Sequence, residues 1–187
     1  MIGELPQALL VSGKEYPINT DFRVALIIFE AFEDPELTQA EMTAAMIGCL
    51  FEKPESIPFE DYEEACLQAA WFLDGGKDYE CEKSSETRVL SWKQDEQMIF
   101  AAVNKAAGYE LRTCDYIHWW TFLGYFSEIG ECLLNTVVSI RKKKNQNKNL
   151  DKFEQEFYWK NKNLVDIKKK YSAAEQAERD RINALLG

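Results

Sequence analysis

The chain has 187 residues, is 46% hydrophobic and 13% aromatic, and carries a formal net charge of −10. Aromatic side chains at that level exclude a disordered body, and the length suits one domain that buries roughly 70% of its unfolded surface. The charge is unevenly placed: residues 1–140 hold 9 Lys/Arg against 25 Asp/Glu, while residues 141–187 hold 13 against 7. A balance of −16 over the first part repels phosphate and excludes nucleic-acid binding across the whole surface.

This split predicts an acidic helical body over 1–144 and a basic helical extension over 145–187, packed on that body or on an acidic partner. The N-terminus lacks a basic region followed by a long apolar run, and Val24 to Phe29 is far too short to span a bilayer. A cytoplasmic protein is expected. Five cysteines with no CxxC spacing read as buried free thiols of a reducing compartment.

In chain order, two short apolar runs within residues 9–18 flank Ser12-Gly13-Lys14 and predict a small β-hairpin that must pack on something larger. A helix over 21–32 opens after Asn19 or Thr20, with apolar side chains on nearly its whole circumference. Thr38-Gln39-Ala40-Glu41 is a capping box that starts a helix to about Phe51. Pro58 suits the first turn of a third helix, which runs to Leu73 and stops at Gly75-Gly76. Residues 74–90 are polar and read as a long loop.

Ser91-Trp92-Lys93-Gln94 predicts a second capping box, opening a helix that ends at Gly108. A fifth helix over about 114–127 carries the aromatic cluster. A sixth, over about 131–144, sets Leu133, Val137 and Ile140 on one face and ends in Arg141-Lys142-Lys143-Lys144, where cations favour the helix dipole. After an Asn- and Lys-rich linker, Phe153, Phe157, Leu164, Ile167 and Tyr171 trace one helical stripe, interrupted by Lys160. Ser172-Ala173-Ala174-Glu175 caps a short terminal helix. The pattern as a whole predicts an all-α bundle of about six to eight helices with a small N-terminal β-hairpin.

Reactive groups are sparse. His118 is the one histidine, and zinc would require three further converging ligands. Cys114 lies four residues earlier, so thiol and imidazole share a helix face if one helix spans both, but catalytic pairs normally come from separate elements with a third group orienting the base. Glu33/Asp34/Glu36 and Glu60/Asp61/Glu63/Glu64 fall at helix ends, where solvent and the dipole account for them. Phosphate-binding loops and the serine-hydrolase elbow have no matching motif. Arg141–Lys148 reads as a solvated helix end. No catalytic residue, metal ligand or cofactor site is expected, and therefore no enzyme. The densest feature is His118-Trp119-Trp120-Thr121-Phe122, read as a core helix or as a core helix that also offers an aromatic docking patch.

Several of these stretches occur together and in order: Asp21-Phe22-Arg23, Phe72-Leu73 leading into Gly75-Gly76, Asp95 with Ile99, Ile117-His118-Trp119-Trp120-Thr121-Phe122, Ile140-Arg141, and Lys168–Tyr171. With them the chain resembles the bacteriophage gene-product-fifteen family over roughly residues 9–171. The resemblance implies a phage or prophage tail-module protein in the bacterial host cytoplasm. It implies a role like that of a non-enzymatic tail assembly chaperone, which binds unassembled tape-measure or tail-tube protein. His118, Trp119, Trp120 and Phe122 match the family signature; Phe153, Phe157, Leu164, Ile167 and Tyr171 form a candidate C-terminal interaction stripe. A head–tail connector or other virion component is a rival reading. Another is a small regulatory protein that uses its basic end on nucleic acid. A homo-oligomer is compatible with each.

Overall fold

The computed structural model describes residues 3–77, 87–168 and 171–186. Strands β1 (Ala8–Val11) and β2 (Lys14–Pro17) form the antiparallel hairpin, with Leu9 opposite Tyr16. Ser12 and Gly13 both adopt positive φ, the geometry of a two-residue hairpin turn. Leu9, Val11 and Tyr16 are buried, so one face of the hairpin supplies core and the other meets solvent. The turn is tied down by Ser12, whose backbone N–H donates to Glu64 and whose hydroxyl donates to Asp61.

Among the described residues there are nine α-helical segments, and 60% of those residues are helical when the 3-10 turns are included. Helix α1 (Phe22–Phe32) is capped by Asp21 rather than by Asn19 or Thr20. Its burial is one-sided: Phe22, Ala25 and Ile28 face the core, while Ile27 is exposed. Helix α2 (Gln39–Leu50) begins at the Thr38/Glu41 capping box, with both reciprocal hydrogen bonds formed. Pro58 precedes a 3-10 turn (Phe59–Asp61), and α3 (Tyr62–Leu73) follows it.

Two helices start later than their sequence signals suggest. Helix α4 (Glu96–Ala107) opens at Asp95, and Ser91 instead caps a turn through its Oγ, which accepts from the Gln94 N–H at 3.1 Å. Helix α5 (Trp119–Ser127) opens at His118, after a 3-10 turn (Leu111–Thr113) and an extended stretch. Helix α6 spans Leu133–Asn145, and its buried face is Leu134, Val137, Ile140 and Arg141, with Leu133 exposed.

The stripe over 153–171, interrupted by Lys160, is carried by separate segments. Helix α7 (Lys152–Lys160), capped by an Asp151/Glu154 box, ends at Asn161, and α8 (Lys162–Val165) is a separate single turn. Helix α9 (Ala173–Leu186) follows the Ser172/Glu175 cap. Helix α1 packs on α2 and α5, α4 on α5 and α6, and α3 on α2 and β1; α8 rests on α6. No described helix is long and apolar enough to cross a membrane.

Candidate functional site

The starts of α1 and α5 lie side by side. The Phe22 N–H donates to the Ile117 carbonyl at 2.9 Å, and the Trp119 N–H donates to the Thr20 carbonyl at 2.7 Å. Each of these helices needs an acceptor for its unsatisfied first-turn N–H groups. Asp21 provides one for α1 by accepting from the Arg23 N–H, and His118 provides one for α5 by accepting from the Trp120 N–H at Nδ1, 3.0 Å away. With Nδ1 an acceptor, Nε2 carries the proton and donates to the Pro6 carbonyl at 2.9 Å. His118 thus pins the N-terminal segment to the aromatic helix. Both ring nitrogens are engaged.

Cys114 does not share a helix face with His118, because it lies in the extended stretch that precedes α5, and its Sγ faces the Glu110 carbonyl at 4.0 Å. Cys49, Cys66, Cys114 and Cys132 are free and half-buried rather than fully buried, and burial pushes the Cys66 thiol up; Cys81 lies outside the described residues. Among the described residues, no three His, Cys, Asp or Glu side chains gather closely enough to hold a metal ion.

The signature aromatics join the core. Trp119 and Phe122 are fully buried, and Phe122 stacks on Phe22 with ring centres 5.0 Å apart. Trp119 also meets Phe29 and Trp92. Ring pairs of this kind contribute about 0.5–1.5 kcal/mol each beyond their buried area. The polar edges of both indoles are satisfied: Trp119 Nε1 donates to the Leu73 carbonyl and Trp120 Nε1 to the Phe72 carbonyl, each at 2.8 Å. These bonds hold the C-terminal end of α3 against α5.

Trp120 is only half-buried. Its outer edge, with Phe29, Trp92, Leu123 and Phe126, lines an open trough of about 720 Å³ along α5. The aromatic segment is therefore core on one side and surface on the other.

A second centre lies between α4 and α6. Asp95 and Arg141 are both buried and form a two-pronged ion pair, at 2.5 Å and 2.9 Å. The remaining guanidinium N–H groups donate to the carbonyls of Val165, Leu164 and Val89. Arg141 is thus no solvated helix end. Its position was detectable, since it lies four residues after Val137 and seven after Leu134, on the apolar stripe of α6.

Lys143 and Lys144 are likewise paired, with Glu154 and Asp166. Glu33 also departs from the solvated reading. Its side chain is nearly buried, and it accepts from Ser91 Oγ and the Trp92 N–H while pairing with Arg88. Of the C-terminal stripe, Phe153 is exposed, whereas Phe157, Leu164, Ile167 and Tyr171 are half-buried.

The sequence model of a family described as Bacteriophage Gp15 protein matches residues 1–167. The chain belongs to that family. Gp15 is a family of structural phage proteins and not a known enzyme family. The Gp15 match takes in both centres described above and stops short of α9. The stretches on which the resemblance rested meet in space: Asp21–Arg23 abuts Ile117–Phe122, Phe72–Gly76 abuts Trp119 and Trp120, and Asp95 grips Arg141. No curated protein and no solved structure matches the chain.

Proposed function

We propose that this phage protein acts without catalysis as a tail assembly chaperone in the host cytoplasm, holding unassembled tape-measure or tail-tube protein through apolar surface. The observation that carries the reading is the aromatic trough along α5. The indole N–H groups of Trp119 and Trp120 are already bonded inside the fold, so what these rings offer a partner is apolar area. Aromatic surface of this kind dominates binding energetics where a partner excludes water. On the same reading, residues 145–187 extend the acidic body 1–144, and the part up to residue 168 is strapped to it. The nucleic-acid alternative is weakened because Arg141, Lys143 and Lys144 are engaged with internal carboxylates.

Co-purification with tape-measure and tail-tube fragments tests the proposal. The native chain is expected to retain one of them, and a Leu123→Lys/Ser127→Glu variant, which charges the trough, is expected to lose it. No retention of any fragment of either protein would sink the idea. The structural character of the family favours a second reading, a head–tail connector or other virion component. Finished virions separate the two: a chaperone is absent from them, whereas a connector is present in fixed stoichiometry.

A further inference from the structure

The turn from Ser91 to Asp95 faces two ways. On one flank Trp92 forms a wall of the trough, stacked on Phe29 with ring centres 5.2 Å apart and lying 5.6 Å from Phe126. On the other flank Gln94 grips main chain. Its side-chain amide donates to the Asp166 carbonyl at 3.0 Å and accepts from the Lys168 N–H at 2.9 Å. Arg141 ties the same two pieces together. It donates to the Leu164 and Val165 carbonyls on one side, and to the Val89 carbonyl and the Asp95 carboxylate on the other. Asp95 in turn accepts from the Ser91 N–H at 3.0 Å, which closes the turn.

Residues 164–168 form a strap, and they are the more loosely held of the two pieces. Val165 is buried, but Leu164 and Ile167 are half-buried, and open pockets of about 550 and 360 Å³ border the segment. Polar groups fasten it further: the Asp166 carboxylate accepts from Lys144 and from the Tyr158 hydroxyl, the latter at 3.1 Å. A segment with little buried apolar area opens at a lower free energy than the core around it. The turn has a second support, because Glu33 at the end of α1 accepts from the Ser91 hydroxyl and the Trp92 N–H.

We infer that the seated strap fixes Trp92 in the trough wall, so that strap docking and occupation of the trough favour each other; the second half of this rests on the reading of the trough as the partner surface. Lifting the strap takes both of these partners from Gln94 and the Leu164 and Val165 carbonyls from Arg141. The turn is then left to Glu33 and to the Asp95–Arg141 pair, and the base of the Trp92 side chain gains freedom. The two sites meet in one short turn, so the coupling needs no movement of a whole helix. An apolar partner that packs on Trp92 from the trough side steadies the same turn. By linkage it holds the strap down by the factor by which the strap improves partner binding.

NMR of the full chain tests the coupling with no partner present. Lys144→Met/Tyr158→Phe removes both side chains that hold the Asp166 carboxylate, and circular dichroism checks that it folds; Asp166→Asn, which weakens the same fastening, takes its place if it does not. The Lys168 amide is expected to exchange faster, on the order of tenfold. The Trp92 indole resonance is expected to move while those of Trp119 and Trp120, bonded to carbonyls of α3, stay in place. In the other direction, Phe126→Leu takes a ring from Trp92 on the trough side and is expected to quicken Lys168 exchange several-fold against the amides of α6. The inference is overturned if the strap variant leaves Lys168 protected, if Trp92 stays in place or moves only together with Trp119 and Trp120, or if Phe126→Leu leaves Lys168 exchange as in the native chain. Where the native chain retains a tail fragment, the strap variant is expected to retain several-fold less, and equal retention overturns the link to partner binding. No retention by the native chain counts against the trough reading instead, and the resonance and exchange measurements still decide whether strap and Trp92 are coupled.

Discussion

Asp95 and Arg141 are the two opposite charges that this fold removes from water together. Five guanidinium hydrogen bonds reach two carboxylate oxygens and three backbone carbonyls. An arrangement so fully satisfied stabilises only while both partners remain. Arg141→Met leaves a buried carboxylate without a counter-charge and is expected to lower stability by roughly 3–5 kcal/mol in urea denaturation. Arg141→Met combined with Asp95→Asn is expected to lose less, because no charge is left stranded. Glu110 shows the exposed counterpart. Its carboxyl is pulled from 4.5 down to about 2, chiefly by the Arg112 side chain and further by the Arg112 N–H and Asn104. A folded value below the unfolded one means the stabilisation is present above about pH 4.5 and is lost as pH falls towards 2. An NMR titration should place the Glu110 midpoint near 2, and Arg112→Met should move it back up towards 4.5.

At the scale of elements, the junction of α3 with α5 decides where the aromatic helix sits. The chain leaves α3 through Gly75 and Gly76, both at positive φ. A Cβ at Gly76 would come within 2.7 Å of the Trp120 ring, in a backbone region that side chains rarely adopt. Gly76→Ala is therefore expected to cost more than about 1 kcal/mol and to shift the Trp120 indole N–H resonance. Local signals located several elements well. The Thr38 and Ser172 boxes mark real helix starts because a capping box needs only four consecutive residues. The same pattern at Asp151-Lys152-Phe153-Glu154 falls next to the Asn- and Lys-rich linker, whose polar composition masks it. The starts of α4 and α5 were misplaced for a different reason. The residues ahead of them are committed to distant partners: Asp95 to Arg141, and Ile117 to Phe22.

Across the whole molecule, the basic extension is attached unevenly. Val165 is buried, Lys144 and Tyr158 hold Asp166, and Gln94 receives the Lys168 N–H, whereas every described side chain of α9 is exposed. Deleting residues 172–187 is expected to leave thermal stability within about 0.5 kcal/mol of the native chain. Ending the chain at residue 149 removes Val165 and the Leu164 and Val165 carbonyls from Arg141, and should lower the melting temperature sharply. The two deletions together test whether the strap, rather than the terminal helix, belongs to the folded unit.

Composition and periodicity, read alone, determined that this is a helical protein with a small hairpin, an acidic body and a basic end. Those features follow from local propensity and from counting charges, and neither requires knowing which segments meet. The string His118 to Phe122 stood out by its aromatic density, but its double role did not. Only the tertiary structure decided that Trp119 and Phe122 fill the core while the edge of Trp120 lines an open trough, because burial depends on what α1 and α3 place opposite each ring. The fate of the charges was equally a matter of packing. The apolar stripe of α6 marks Arg141 as facing inward, but only packing shows that Asp95 meets it there, since a buried ion pair needs two segments whose separation in sequence carries no local signal.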